Sequence, residues 1–189
     1  MIDRDLPRGI ATIGPGPVRV HFDGACEPAR GGGVATFGYT IEGGGFDLED
    51  SGLAVRPYSE NSTNNVAEYS GAIQALERLR GLGYTGPVEV YGDSQLVIRQ
   101  MLGEYAVKAV HLQSYHDWLA RLARDFERVT WTWVPREQNT RADALSKEAL
   151  AELAPRGPRS LRRPPEPDEG ESDGASAAAN DDDGPDGAA

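Results

Sequence analysis

Residues 88–102 read VEVYGDSQLVIRQML, and within them a short strand runs directly into a helix. The alternation of Val88 and Val90 with polar neighbours predicts the strand, and the helix is predicted from Ser94 to about Leu102. A strand that feeds a helix in this way is typical of α/β proteins, in which helices cover a sheet that contains parallel strands.

Around this unit, the apolar spacing predicts elements in the order β-β-β-α-β-α-α-β-α. The run Gly43-Gly44-Gly45 indicates a tight connection between the second and third strands. The bounds predicted for the other elements are 18–23, 33–41, 46–55 and 129–134 for strands, and 66–80, 111–126 and 140–153 for helices. This order predicts an α/β fold with a five-stranded mixed sheet, whose first three strands are antiparallel and whose helices lie on both faces.

Three segments of different composition predict the domain organisation. Residues 18–153 carry the periodic apolar pattern of one compact domain. Residues 1–17 are rich in Pro and Gly, and we expect a flexible lead-in there. Residues 154–189 are rich in Pro, Gly, Ala, Asp and Glu and poor in aromatic residues, so we expect a disordered acidic tail.

The charge of the chain is strongly negative and its basic residues are unusual. The 189 residues include 30 Asp and Glu against 19 Lys and Arg, which gives a net charge of −11. Only Lys108 and Lys147 are lysines. Taken alone, this acidity argues against a nucleic-acid partner. Diffuse acidity with so little lysine favours a surface adapted to high salt, with an acidic protein from a GC-rich genome as the alternative.

Several classes of protein are excluded by simple patterns. No apolar run approaches the roughly 18–20 residues that a bilayer requires, so we expect no membrane association. Residues 1–5 lack the apolar core of a signal peptide. Cys26 is the single cysteine, which excludes an intramolecular disulfide and a cysteine zinc cluster. We therefore expect a cytoplasmic monomer.

Four acidic residues lie at the ends of predicted elements. Asp23 precedes Gly24 at the predicted end of the first strand, and Asp93 lies where the strand of residues 88–91 becomes a helix. Taken singly, Asp23 could be a turn residue and Asp93 a helix N-cap. Glu68 and Asp143 each lie three residues after a potential capping residue, as in a capping box.

The predicted geometry favours a second interpretation of these acids. Glu68 shares a helical stripe with apolar residues, so its side chain is directed toward the sheet. Asp23 and Asp93 would meet if their strands are parallel neighbours, because the carboxyl ends of parallel strands lie together. Converging carboxylates repel one another unless divalent cations neutralise them, and oxygen ligands without a His or Cys cluster favour Mg²⁺ or Mn²⁺.

Four motifs occur in order between residues 18 and 150. They are Asp23-Gly24-Ala25-Cys26 with Gly31-Gly32-Gly33, Thr63-Asn64-Asn65-Val66-Ala67-Glu68-Tyr69, Asp93-Ser94-Gln95, and Trp133-Val134-Pro135-Arg136-Glu137 followed by Asn139-Thr140-Arg141-Ala142-Asp143. Together they resemble the motifs of type 1 ribonuclease H, and the last resembles the ending of its short-loop, archaeal-like branch. The salt-adapted composition suggests a halophilic source.

The resemblance implies an endonuclease that hydrolyses the RNA strand of RNA/DNA hybrids with two Mg²⁺ or Mn²⁺ ions. The products would carry a 5′-phosphate and a 3′-hydroxyl. The resemblance also implies that Asp23 bridges the two ions. Asp143 would bind the ion on the side of the attacking water, and Glu68 and Asp93 the ion on the side of the leaving group.

Contacts to the two strands of a hybrid are implied in the same way. Thr63 and Asn64 would hold a phosphate of the DNA strand, and Asn65 and Gln95 would reach base edges. The backbone of residues 24–26, Gly24, Ala25 and Cys26, would sense ribose 2′-hydroxyls, which distinguish RNA from DNA. The motifs place Ser94, Arg136 and Asn139 among the substrate-binding residues as well.

One departure from the family concerns the loop before the last acid. Many relatives carry a histidine there, whereas residues 134–143 contain none, and Arg136 and Glu137 are predicted to take over its role.

Three alternative functions stay open at this point. They are a catalytically silent nucleic-acid-binding module of the same fold, a 3′–5′ exonuclease (whose D-x-E pair Asp23-Gly24-Ala25 lacks), and an acidic protein-interaction module that acts through the tail.

Overall fold

A computed structural model describes residues 16–28 and 32–154 of the chain. Its elements, in chain order, are β1 (Val18–Glu27), β2 (Val34–Gly43), β3 (Phe46–Leu53), α1 (Asn64–Gly81), β4 (Val88–Gly92), α2 (Gln95–Met101), α3 (Val110–Ala123), β5 (Val129–Trp133) and α4 (Thr140–Leu153). A short 3₁₀ helix, Arg136–Gln138, precedes α4 and was not predicted from the sequence. The predicted lead-in and tail lie almost wholly outside the described residues and stay predictions.

The five strands form one mixed sheet in the order β3-β2-β1-β4-β5. β1 pairs antiparallel with β2, and β2 antiparallel with β3. β4 pairs parallel with β1, and β5 parallel with β4. The predicted α/β class, the element order and the antiparallel first three strands are therefore confirmed.

Helices cover both faces of the sheet, as predicted. The fully buried Val18, Val20 and Phe22 alternate along β1 and point toward α1. Asp23 points to the opposite face, where its carboxylate meets Ser146 of α4. α3 packs on α1 and extends the apolar core on that side.

The predicted end of β1 at Gly24 is wrong. The strand continues to Glu27 and keeps its pairing with β2 throughout, so that Asp23 lies within the strand opposite Gly38. Gly24 is instead the point of closest approach between β1 and α1. A Cβ atom there would lie 2.2 Å from the backbone nitrogen of Glu68, so a residue with a side chain could not pack at this position.

The capping roles considered for the acids are also wrong. Thr63 caps α1, and its hydroxyl accepts a hydrogen bond from the Val66 N–H at 3.3 Å. Ser94 caps α2 in the same way, and Asn139 occupies the N-cap position of α4. Because other residues fill these positions, Glu68, Asp93 and Asp143 do not have the capping roles considered for them. Asp23, considered as a turn residue, lies within β1 instead.

Among the described residues, none of the helices is both long enough and apolar enough to cross a membrane.

Candidate metal centre

The site forms where the parallel pairing of β1 and β4 stops. The last paired residues of the two strands are Phe22 and Gly92. Asp23 is the next residue of β1 and Asp93 directly follows β4, so the register places them side by side just beyond the last parallel pair. Beyond this point β1 remains paired only with β2.

The third acid reaches this point from α1. Glu68 lies in the second turn of the helix, directly over Gly24, and its side chain is buried. One carboxylate oxygen from each of Asp23, Glu68 and Asp93 lies within 4.8 Å of the other two. These three residues are called the acidic triad below. Such a set of converging oxygen atoms has the chemistry of a Mg²⁺ or Mn²⁺ site.

Each carboxylate of the acidic triad accepts a hydrogen bond from an uncharged side chain. The Ser146 hydroxyl donates to Asp23. The Asn139 amide donates to Asp93 at 2.8 Å. The Asn64 amide donates to Glu68 at 3.5 Å. The second oxygen of Glu68, Oε2, is buried and has no hydrogen-bond partner among the described residues. A buried carboxylate oxygen without a partner is costly unless a cation binds it.

Two members of the acidic triad, Asp23 and Glu68, have raised pKa values. Burial raises the pKa of Asp23 to about 7; the hydrogen bond from Ser146 acts against this, and the charge of Asp93 adds to it. Burial raises the pKa of Glu68 well above its usual range, and the charges of Asp23 and Asp93 act in the same direction. Asp23 and Glu68 therefore resist simultaneous ionisation, which a bound cation would relieve.

The fourth predicted acid, Asp143, does not join this triad. It lies in the first turn of α4, where it accepts hydrogen bonds from Arg136 and, at 2.7 Å, from Lys147. Burial acts to raise its pKa, but the hydrogen bonds from Lys147 and Arg136 outweigh that effect and the pKa lies below its usual value. Asp143, Arg136 and Lys147 are called the Asp143 corner below.

The predicted substrate-binding residues fall into two groups. Thr63, Asn64 and Asn65 lie together at the N-terminus of α1, and all three side chains are partly accessible. Ser94 and Gln95 begin α2 beside Asp93. These two helix starts therefore flank the acidic triad.

The other predicted residues differ in accessibility. Ala25 is half-buried, and the Cys26 side chain is buried with its thiol donating to the Ser62 carbonyl at 3.3 Å. Arg136 and Glu137 are exposed on the 3₁₀ helix. Asn139 is buried, and its amide group donates to the Phe22 carbonyl at 2.8 Å as well as to Asp93.

Three supporting residues were missed by the sequence reasoning. Ser146 holds Asp23, Lys147 holds Asp143, and the indole N–H of Trp133 donates to the backbone carbonyl of Asp93 at 3.1 Å. A signal for Ser146 was present, because it is a polar residue on the otherwise apolar buried stripe of α4.

Comparisons with known proteins place these observations in a family. A family model described as reverse transcriptase-like matches residues 50–149. The chain is 43% identical over 89 residues to the bifunctional protein Rv2228c of Mycobacterium tuberculosis. That match covers 47% of this chain and 24% of the relative, so the chain spans about a quarter of the length of this relative.

Solved structures match over more of their length. The crystal structure of RNase H1 from the halophilic archaeon Halobacterium salinarum has a TM-score of 0.64 and 34% identity, covering 72% of this chain and 99% of that chain. LC11-RNase H1, crystallised in complex with an RNA/DNA hybrid, has a TM-score of 0.63 and 32% identity, covering 72% of this chain and 98% of that chain.

Proposed function

We propose that this chain, which belongs to the type 1 ribonuclease H family, hydrolyses the RNA strand of RNA/DNA hybrids. The observation that carries the proposal is the acidic triad, whose two buried carboxylates and one half-buried carboxylate converge beside two helix starts rich in Thr, Asn, Ser and Gln. The hybrid bound to the related LC11-RNase H1 supports this substrate class.

The residues present fit a divalent metal ion of the Mg²⁺ or Mn²⁺ type. All ligand atoms of the acidic triad are carboxylate oxygens, and Glu68 Oε2 lacks a partner among the described residues. Asp23, Glu68 and Asp93 would hold one ion, and Asp143 with Asp23 would hold a second. Bound ions would make water a stronger nucleophile and neutralise charge on the reacting phosphate, giving 5′-phosphate and 3′-hydroxyl ends.

The chain's own side chains would place the hybrid over this site. Thr63 and Asn64 present donors at the N-terminus of an 18-residue helix, which suits a DNA phosphate, and Asn65 beside them would reach base edges. Gln95 would reach base edges, and Ser94 beside it at the start of α2 would also contact the hybrid. Arg136 adds an exposed positive charge next to Asp143, where the scissile phosphate would carry its negative charge.

The test is cleavage of three labelled duplexes, the hybrid, double-stranded DNA and double-stranded RNA, by the full chain in Mg²⁺ or Mn²⁺. The wild type is compared with Asp93→Asn and with Asp117→Asn, a control that removes an exposed carboxylate on α3. We expect internal cuts in the RNA strand of the hybrid, lost in Asp93→Asn and retained in Asp117→Asn. Equal activity of all three proteins would contradict the site, and cleavage of double-stranded RNA would contradict the substrate.

Adaptation to high salt belongs to the same proposal. It rests on the net charge of −11 and on 17 arginines against two lysines. The thermal midpoint of the wild type should then rise from dilute to molar KCl, and a flat or falling midpoint would contradict the adaptation. The cytoplasmic location and the monomeric state stay predictions from the sequence.

A further inference from the structure

Ser146 is a buried hydroxyl with a direct contact to the candidate metal centre. It lies in the second turn of α4, is fully buried, and donates to Oδ2 of Asp23 across 123 residues of sequence. The same hydroxyl lies 3.0 Å from the backbone carbonyl of Asp143. It therefore links the acidic triad to the helix that carries the fourth acid.

The neighbouring residues hold Ser146 in this place. Gly38 of β2 is opposite Asp23 in the sheet, and a Cβ atom on Gly38 would lie 2.5 Å from the backbone nitrogen of Ser146. The missing side chain lets α4 lie directly on the sheet. The hydroxyl of Thr36, also buried, donates to the Ser146 carbonyl at 2.8 Å and so holds α4 against β2.

The hydrogen bond to Asp23 restricts what its carboxylate can do. A carboxylate can rotate about its terminal bond, and that torsion is broad when nothing holds it. Because Ser146 holds Oδ2, the other oxygen, Oδ1, has a restricted set of positions. The donor is uncharged, so it orients the carboxylate without neutralising it, unlike the Lys147 and Arg136 contacts to Asp143.

We propose that Ser146 is a positioning residue, whose hydroxyl fixes the Asp23 carboxylate so that its free oxygen binds a divalent cation together with Glu68 and Asp93. This inference rests on the proposed function, because it requires the acidic triad to be a metal centre. Partners that hold metal-binding carboxylates change metal affinity by about 10–100-fold when they are removed.

The experiment measures Mn²⁺ binding to the full chain by calorimetry, without nucleic acid, for wild type, Ser146→Ala and Ser70→Ala. Ser70→Ala is the matched control, since Ser70 is also a buried helical serine, and among the described residues its hydroxyl bonds only to the backbone carbonyls of Val66 and Ala54. We expect the Kd for Mn²⁺ to rise about 10-fold or more in Ser146→Ala and to stay within about twofold of wild type in Ser70→Ala. In cleavage assays, Ser146→Ala should need more Mg²⁺ for half-maximal rate with an unchanged KM for the hybrid.

Each other outcome is decisive. An unchanged Kd in Ser146→Ala, an equal loss in both variants, or failure of Ser146→Ala to fold would show that Ser146 is a structural residue only. Absence of Mn²⁺ binding in the wild type would instead contradict the metal centre itself. The two failures are therefore distinguishable.

Discussion

The acidic triad and the Asp143 corner lie next to each other, yet their carboxylates are stabilised in opposite ways. The triad accepts side-chain hydrogen bonds from Ser, Asn and Asn, none of which carries a charge. Asp143 accepts from an arginine and a lysine. Uncharged donors satisfy oxygen atoms but leave the negative charge in place, whereas two cations cancel it.

The pKa shifts follow from this difference. Burial and mutual repulsion raise the pKa of Asp23 and Glu68, while the two cations keep the pKa of Asp143 low. The uncompensated negative charge of the triad is therefore the part of the site that favours binding of a metal ion. Asp143 is already ionised and paired, so a cation there must compete with Arg136 and Lys147.

The largest expected effect concerns metal binding by the two regions. Glu68→Gln removes a buried carboxylate of the triad, and we expect calorimetric Mn²⁺ binding to weaken by about 100-fold or more, at the upper end of what a change near a metal site causes. Asp143→Asn should change the affinity for the first Mn²⁺ by less than about threefold, because that residue lies outside the triad. If Glu68→Gln and Asp143→Asn lost Mn²⁺ affinity equally, the acidic triad would not be the primary metal-binding region.

A second test disturbs the triad without changing any of its acids. In Gly24→Ala the added Cβ would lie 2.2 Å from the Glu68 backbone nitrogen, so α1 must move away from β1. We expect a loss of about 2–4 kcal/mol in the free energy of unfolding, measured by urea titration, together with loss of Mn²⁺ binding.

The control for that test is Gly81→Ala, at the end of the same helix. A Cβ atom at Gly81 meets nothing within 4 Å, so this variant should be neutral or more stable by up to about 1 kcal/mol. If Gly24→Ala matched this control, the close approach of α1 would not be what brings Glu68 to the site.

In the metal-free protein, ionisation of Asp23 and ionisation of Asp143 should change the free energy of unfolding with pH in opposite directions. The folded pKa of Asp23, about 7, exceeds its ordinary value of 3.8, so Asp23 costs stability as pH rises from about 4 through 7. Asp23→Asn should therefore raise the free energy of unfolding at pH 8, by about 2–4 kcal/mol, and much less at pH 4.

Asp143 should behave in the opposite manner. Its folded pKa is lowered, so its stabilisation is present above its ordinary pKa and is lost as pH falls through the folded value. Asp143→Asn should cost about 1 kcal/mol at pH 8, since both of its partners are half-exposed. Urea titrations in EDTA at the two pH values check both signs, and the same sign for the two variants would contradict the comparison.

Local sequence patterns predicted the strands, the helices and the acidic triad, but not the long-range contacts that hold the triad in place. The strand–helix unit of residues 88–102 and the periodic helices predicted the sheet, because apolar periodicity is a local signal. The triad was predictable because Asp23 and Asp93 each follow an alternating apolar pattern, although β1 itself continues past Asp23, and because Glu68 lies on a buried helix stripe. Ser146 and Asn139 contact Asp23 and Asp93 over 123 and 46 residues. The sequence marks Ser146 as a polar residue on a buried stripe, but no local pattern shows which distant residue it contacts. The continuation of β1 past Gly24 was missed because the glycine is required by a contact with Glu68 of α1, which is also distant in sequence.

The smallest expected effect is the salt dependence of the two regions. The Arg136 and Lys147 side chains are 59% and 54% exposed, so molar salt should screen their attraction to Asp143. The cost of Asp143→Asn at pH 8 should therefore fall to less than half between about 0.1 M and 1 M KCl, where the Debye length shrinks from about 10 Å to 3 Å. The gain from Asp23→Asn should change much less, because Asp23 is buried and its neighbours are screened weakly. Urea titrations of both variants and the wild type at each salt concentration measure this, and a parallel change in the two variants would mean that solvent reaches the triad as readily as the Asp143 corner.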